Sequence, residues 1–208
     1  NAARCVAALL LDETGGSEVA IGSKGGPMRA WRAARGGISI DMGEPRFSAA
    51  DIPLADLTAD PLSLRLPPFS NRFGPAACAN VGNPHAVFFT DDVDTVPLME
   101  VGPQLERHEA FPERANISFV SLKDGVAKTR VFERGVGPTR ACGTAACAIG
   151  ALTHHLGMTG PQVTVELPGG PLDIEIKAGR IIMTGPYQLD YVGAITRDGF
   201  VRDPLPAV

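Results

Sequence analysis

Residues 133–148 read Glu-Arg-Gly-Val-Gly-Pro-Thr-Arg-Ala-Cys-Gly-Thr-Ala-Ala-Cys-Ala, and this stretch decides the fold prediction. The run before it, Val126–Glu133, has the alternating apolar pattern of a strand and ends in a loop rich in glycine and proline. The Ala-rich residues 144–156 predict a helix that Gly157 ends. Cys142 is therefore expected immediately before a buried helix.

That position predicts a reactive thiol at Cys142. Unpaired amides and the macrodipole at a helix start stabilise a thiolate and lower the pKa of a cysteine. Gly143 allows a ligand to approach the backbone, and the amides of Gly143 and Thr144 can bind a carboxylate. The alternative is that Cys142 is simply a small buried residue, as free cysteines often are. Cys147 lies one turn further along, and we expect it to pack in the core.

Two other interpretations of this stretch are weaker. Gly135 and Gly137 begin like a dinucleotide-binding fingerprint, but Arg140 occupies the third glycine position and no βαβ unit follows. A cysteine hydrolase needs a histidine paired with Cys142, and the sequence does not place His85 in space.

The composition bounds the possible partners. Hydrophobic residues make up 44% and charged residues 20% of the 208, which is ordinary for a soluble globular protein. A net charge of -4 with no basic run gives no reason to expect nucleic acid as a partner. No apolar stretch approaches the roughly 20 residues of a membrane span. The four cysteines contain no C-x-x-C pair, so we expect no metal and free thiols in a reducing compartment.

Short apolar or alternating runs between turn residues predict a mostly antiparallel sheet. The predicted strands are residues 18–22, 37–42, 62–66, 86–90, 116–122, 126–133, 163–167, 172–177 and 180–184. Helices are predicted over residues 2–11 and 97–107, in addition to the one after Cys142. A change of domain is expected near Gly43-Glu44-Pro45, where a strand ends in turn residues.

The first ten residues resemble the helix after Cys142. Asn-Ala-Ala-Arg-Cys-Val-Ala-Ala-Leu-Leu (1–10) aligns with Thr-Ala-Ala-Cys-Ala-Ile-Gly-Ala-Leu-Thr (144–153). Both begin with a small polar residue suited to a helix start, although two Ala-rich core helices also look alike by chance. The sequence opens inside this predicted helix without Met, which predicts that an upstream segment is cleaved, carried separately or absent.

Residues 133–144 closely resemble the second cysteine motif of the diaminopimelate epimerases. Four further stretches are similar to motifs of that family. They are Gly82-Asn83-Pro84-His85-Ala86-Val87, the segment from His108 through Phe111-Pro112-Glu113 to Asn116-Ile117, the crossover Asp41-Met42-Gly43, and Asn1-Ala2-Ala3-Arg4-Cys5. The last looks like the tail of the first cysteine motif. The resemblance therefore extends over nearly the whole chain.

The resemblance implies an α+β fold of two pseudo-symmetric domains, each a central helix wrapped by mostly antiparallel strands. Residues 44–187 would form the second domain, and residues 1–43 with the tail 188–208 would be a remnant of the first. It also implies a cytoplasmic bacterial homodimer with a small amino-acid substrate.

The activity implied by the resemblance is interconversion of LL- and meso-diaminopimelate without a cofactor, in lysine and peptidoglycan precursor synthesis. One cysteine removes the α-proton and an opposite cysteine delivers another, which needs two acids held on opposite faces of one carbon. Cys142 is then one acid/base, and the Gly143 and Thr144 amides hold the α-carboxylate. Asn1 would do similar work at the other helix. The other cysteine precedes Asn1 in the family, and Cys5 matches a non-catalytic position.

The same resemblance assigns the remaining site residues. Asn83 and Asn116 would bind polar groups of the substrate, although asparagine beside glycine or before a strand commonly forms turns. Glu133 and Arg134 would hold the amino and distal carboxylate groups, with Glu133 also assigned to catalysis. A planar Arg fork suits a carboxylate. His85 would support the thiols by proton or charge balance.

Two rival functions differ from this prediction in what they require. Another cofactor-independent racemase of the same fold, such as a proline racemase or hydroxyproline epimerase, would not need the Glu133-Arg134 pair for a second charged end of the substrate. A non-catalytic binding protein or inert fragment predicts no elevated reactivity of Cys142 toward a thiol-directed substrate analogue.

Overall fold

The computed structural model describes residues 2–23, 26–190, 192–197 and 199–203. The predicted substrate-binding residue Asn1 lies outside them. The helices of the described residues are α1 (Ala2–Thr14), α2 (Ser70–Phe73), α3 (Leu98–Glu106) and α4 (Gly143–His155). The strands are β1 (Glu18–Ser23), β2 (Gly26–Arg32), β3 (Ile38–Gly43), β4 (Ala77–Asn80), β5 (Pro84–Phe89), β6 (Asn116–Lys123), β7 (Val126–Glu133), β8 (Gly137–Thr139), β9 (Gln162–Leu167), β10 (Gly170–Lys177), β11 (Arg180–Gly185), β12 (Val192–Thr196) and β13 (Gly199–Asp203).

One large sheet connects most of these strands, in the order β1-β2-β3-β11-β10-β9-β7-β6-β5-β4, with β8 paired to β7. Only β5 with β6 and β7 with β9 run parallel among the described pairs, which confirms a mostly antiparallel α+β fold. The strands β12 and β13 form a separate hairpin. The pairing of β3 with β11 joins β1, β2 and β3 to the rest of the sheet. The domain boundary near residue 44 stays a prediction.

The strands β4 to β7 lie between two apolar clusters, because successive side chains of a strand point to opposite faces. On the α4 side lie Ala77, Ala79, Val87, Val120 and Val131, and on the α3 side lie Cys78, Ala86, Phe88, Ile117, Phe119 and Phe132. The same alternation puts His85, Asn116 and Glu133 on the α4 side, since His85 and Glu133 are two residues and Asn116 is four residues from a member of that face. The fold therefore directs three predicted site residues toward one helix.

The helix α4 is the centre of this arrangement. Its residues from Ala145 to Thr153 are buried on all sides, as expected of a helix without a polar face. It packs against β4, β9, β10 and β11. The helix α1 packs against β1, β2 and β3 through Ala7, Ala8 and Leu11, while Val6 and Leu9 are exposed. Both helices contribute to the same apolar cluster.

One predicted strand is wrong. Residues 62–66 were expected to be extended, but Pro61–Ser63 forms a 3₁₀ turn and only Leu64 makes an isolated bridge, to Ala76. The cause is local, because the Asp60 carboxylate accepts the Leu62 amide and Pro61 follows at the first helical position. The other predicted helices and strands are confirmed to within a few residues at each end. No helix of the described residues has the length and apolarity that crossing a membrane requires.

Candidate active site at the start of α4

Cys142 lies at the position immediately before α4, in an extended conformation with φ -135° and ψ 105°. Its Sγ lies 3.5 Å from the Thr144 hydroxyl, and the side chain makes no capping hydrogen bond to the amides of α4. The first amides of a helix have no partner within the helix, so this end carries donors and the positive end of the macrodipole. The predicted placement of the thiol at a helix start is confirmed.

The predicted protonation of Cys142 is wrong. Its side chain is only 6% exposed, and this burial raises the pKa of the thiol above its usual range. The nearby Glu133 carboxylate raises the pKa further. The Thr144 hydroxyl and the nearby Ala145 amide lower the pKa but do not compensate. Cys142 is therefore a protonated thiol at neutral pH, able to give a proton and needing a base before it can take one.

Glu133 is the carboxylate whose charge acts on that thiol. It ends β7, it is half-buried, and its Oε1 accepts a hydrogen bond from the Thr139 hydroxyl. Thr139 lies on β8, which pairs with β7 by joining Glu133 to Gly137. Sequence reasoning missed Thr139, because its contact depends on this pairing and nothing in the Gly- and Pro-rich loop indicated it.

His85 is fully buried on β5, where the Nε2–H donates to the Asn83 Oδ1 at 2.9 Å. Burial, with a smaller contribution from the Arg134 charge, lowers the pKa of His85 to about 3. The imidazole is therefore neutral at pH 7. Its Nδ1 has no hydrogen-bond partner among the described residues.

Asn116 connects the two loops of the site. It is 3% exposed, its Nδ2 donates to the Pro84 carbonyl at 2.9 Å, and its Oδ1 accepts the Arg134 amide at 3.0 Å. The backbone of Asn116 also pairs with that of His85. The predicted binding residue thus holds the backbone on both sides of the site.

Arg134 is half-buried beside this network. Its Nη1 donates to the Glu113 carbonyl at 3.0 Å, and its charge acts on His85. At the start of α4, Gly143 and Thr144 are half-buried. A side chain on Gly143 would lie 3.1 Å from the Met183 Sδ, so the start of α4 packs closely against Met183.

The structure therefore brings the predicted residues into two adjoining groups. Cys142, Glu133 and Thr144 form the first group, and His85, Asn83, Asn116 and Arg134 form the second. The two groups adjoin because β5, β6 and β7 are neighbours and Glu133 precedes Arg134.

The other cysteines do not share this environment. Cys147 and Cys78 are fully buried, and burial raises the pKa of Cys147 to about 12 and that of Cys78 further still. The prediction that Cys147 packs in the core is confirmed. Cys5 is exposed. Within the described ranges no three His, Cys, Asp or Glu residues are grouped to hold a metal ion.

Comparison with known proteins places the chain in a family. Residues 77–189 match the family model described as diaminopimelate epimerase. A diaminopimelate epimerase from Rhodospirillum centenum is 41% identical over 198 residues, covering 94% of this chain and 67% of that protein. The chain belongs to the diaminopimelate epimerase family. A diaminopimelate epimerase from Erythrobacter litoralis is 48% identical, and the match covers 93% of this chain and 69% of that protein.

The match covers only part of the length of these family members. For the diaminopimelate epimerase of Brucella canis, identity is 43%, and the match covers 93% of this chain and 66% of that protein. The chain thus spans about two thirds of the length of these curated relatives.

Solved structures resemble the fold. A predicted epimerase from Pseudomonas aeruginosa has a TM-score of 0.56 at 19% identity, covering 86% of this chain and 67% of that one. A PhzF-family phenazine biosynthesis protein from Bacillus anthracis has a TM-score of 0.55 at 18% identity, covering 85% and 69%. At these identities the likeness establishes the fold alone.

Proposed function

We propose that this chain carries one half of the catalytic machinery of a diaminopimelate epimerase, with Cys142 as the acid/base on one face of the substrate α-carbon. The observation that supports this most is the Cys142 thiol at the start of α4 with the Glu133 carboxylate acting on it. Membership of the family supplies the substrate, since its curated members are named for diaminopimelate.

The proposed reaction begins with a proton transfer from Cys142 to Glu133. The resulting thiolate takes the α-proton of the substrate, and a second cysteine thiol, on the segment that would precede Asn1, delivers a proton to the opposite face. In the reverse direction the protonated Cys142 is the donor. The two directions need Cys142 in different protonation states, and an adjacent carboxylate can supply both.

Donors at the start of α4 would stabilise the charge that develops on the substrate. In this proposal the Gly143 and Thr144 amides hold the α-carboxylate, which accepts electron density as the α-proton leaves. Asn1 would act likewise at α1. Burial of the site strengthens these interactions, because fixed dipoles act most strongly where water is excluded.

The second group of residues would recognise the far end of the substrate. Arg134 would bind the distal carboxylate, and Asn83 and Asn116 would bind polar groups while keeping the two loops together. His85 is neutral, so we propose that it supports the site through its hydrogen bond to Asn83 and not by its charge. The resemblance to the family further supports a homodimer in a bacterial cytoplasm.

A deuterium experiment tests this function. LL-diaminopimelate is incubated in D2O with the protein at its natural length, and we expect meso product carrying one deuterium at the inverted carbon. Cys142→Ser should reduce conversion to background with the same circular dichroism spectrum, while Cys5→Ser, an exposed thiol, serves as the control. Wild-type rates in Cys142→Ser would refute the proposal. Turnover of proline in place of diaminopimelate would favour the racemase alternative.

A further inference from the structure

Glu106, the last residue of α3, is a buried carboxylate that the predicted mechanism does not use. It is 3% exposed, which is unusual for glutamate unless the group is hydrogen-bonded. Its Oε1 accepts the Gly135 amide at 2.8 Å. Two exposed arginines approach it less closely, Arg114 at 3.8 Å and Arg107 at 3.9 Å.

The contact with Gly135 places Glu106 at the turn between β7 and β8. Three consecutive amides of that turn have acceptors: Asn116 binds the Arg134 amide, Glu106 binds the Gly135 amide, and the Glu133 carbonyl binds the Val136 amide. Gly135 has φ 74°, a conformation that this turn requires. Glu106 thus supplies the middle of three bonds that fix the backbone around Arg134.

Glu106 also holds the segment to which the Arg134 guanidinium is bound. Its backbone carbonyl accepts the Ala115 amide at 3.2 Å, which closes the loop from 107 to 115. Within that loop the Glu113 carbonyl accepts the Arg134 Nη1 at 3.0 Å. One residue therefore fixes both the backbone that carries Arg134 and the acceptor that orients its side chain.

We propose that Glu106 is a positioning residue for substrate recognition, which holds Arg134 in the direction needed to bind the distal carboxylate of the substrate. This inference rests on the proposed function for the role of Arg134. Glu106 acts through the Gly135 amide and contacts no reacting atom. Its loss should therefore weaken substrate binding more than it slows the chemistry at Cys142.

Three substitutions of Glu106 separate hydrogen bonding from charge. Glu106→Gln keeps an acceptor at the same reach without the charge, Glu106→Asp keeps the charge but is one methylene too short, and Glu106→Leu removes both. Measured on the protein at its natural length, KM for diaminopimelate should rise about 10-fold in the Asp and Leu variants and less than about threefold in Gln. The turnover number kcat should fall by a smaller factor than KM rises.

The comparison of Gln with Asp decides the inference even if the Leu variant does not fold. A role in balancing the Arg107 and Arg114 charges predicts the reverse order, with Gln worse than Asp, and that result would overturn the proposal. Glu100→Leu, which alters an exposed carboxylate on the same helix, should leave KM unchanged. In an Arg134→Met background the Glu106 variants should add less than about twofold, whereas full additivity would contradict action through Arg134.

Hydrogen exchange gives a readout that does not depend on activity. The Gly135 amide should exchange faster in Glu106→Asp than in Glu106→Gln, because only Gln still accepts it. Equal exchange in the two variants would overturn the positioning role. If the wild type shows no turnover of diaminopimelate while this exchange difference is present, the proposed function fails and the structural part of the inference stands.

Discussion

At the scale of single residues, the pairing of Cys142 with Glu133 decides how the site can work. The carboxylate raises the pKa of the thiol, and it is also the proposed acceptor of the thiol proton. The first effect lowers the reactivity of the thiol, and the second effect raises the turnover rate. A substitution that removes the charge should therefore separate them.

We expect Glu133→Gln to make Cys142 more reactive and the enzyme slower. Removing the carboxylate removes a cause of the raised pKa, so the midpoint of alkylation by iodoacetamide should move to lower pH. Epimerisation should fall by about 100-fold, because the base is lost. Both are measured on one preparation, with Glu166→Gln, an exposed carboxylate on β9, as control. An alkylation midpoint that rises would contradict the placement of Glu133 beside the thiol.

The lowered pKa of His85 predicts how the free energy of unfolding changes with pH. Its pKa is about 3 in the folded chain and near 6.5 when exposed to water, so the unfolded chain binds the extra proton between these values. The stability that the neutral imidazole contributes is present above pH 6.5 and is lost as pH falls toward 3. The expected slope for this group is about 1.4 kcal/mol per pH unit. Urea unfolding at several pH values should show a smaller slope in His85→Gln, and an unchanged slope would refute the assignment.

At the scale of elements, the contact between α4 and β10 sets the position of the site. A side chain on Gly150 would lie 2.5 Å from the Ile174 Cγ2. The helix and the strand therefore pack so closely that only glycine fits at this position. Gly150→Ala should lower the free energy of unfolding by about 1–2 kcal/mol, since overpacking outweighs the gain in helix propensity. Gly160→Ala is the matched control, because nothing lies within 4 Å of its added methyl group. Urea denaturation of both variants measures the difference. Equal free energies of unfolding would contradict the prediction, because they would show that β10 shifts to accommodate the added methyl group at little cost.

The elements also show what the sequence can and cannot predict. The strand Val126–Glu133 is confirmed in full, because buried residues alternate with more exposed ones from Val126 to Val131, the period of two that a strand requires. The strand β4 was missed, since Ala77–Asn80 is buried on both faces and lacks alternation. The strand β2 was missed as well, because Gly26–Arg32 mixes charged and apolar residues and has only one fully buried residue.

The same distinction applies to the site. The position of Cys142 before a helix follows from local signals, and so do the candidate roles of its neighbours. The raised pKa of Cys142 does not follow from local signals. It depends on burial by segments that are distant in sequence and on the charge of Glu133, which ends β7. Glu106 was missed for a similar reason: nothing near it in sequence indicates that it accepts the Gly135 amide 29 residues away.

At the scale of the whole molecule, two segments far apart in sequence meet beside the site. The strands β3 and β11 pair along Ile38–Gly43, and α1 lies over the strands next to them. Arg4 of α1 is buried where these segments join. Its Nε donates to the Pro186 carbonyl at 3.2 Å, and its Nη1 lies 3.9 Å from the Met183 Sδ, the atom that packs against Gly143.

Arg4 therefore connects α1 to the segment that contacts the start of α4. We expect Arg4→Ala to lower the free energy of unfolding by about 2–4 kcal/mol, because it removes buried hydrogen bonds and leaves a cavity. Activity should fall with it, since the two helix starts would lose their fixed separation. Arg29→Ala breaks a bidentate surface pair with Glu18 at 2.7 Å, and it should change stability little because both side chains are exposed. Thermal and urea unfolding of the two variants measure the contrast. If Arg29→Ala were the more damaging substitution, α1 would be held by its contacts with β1 and β2 and not by Arg4.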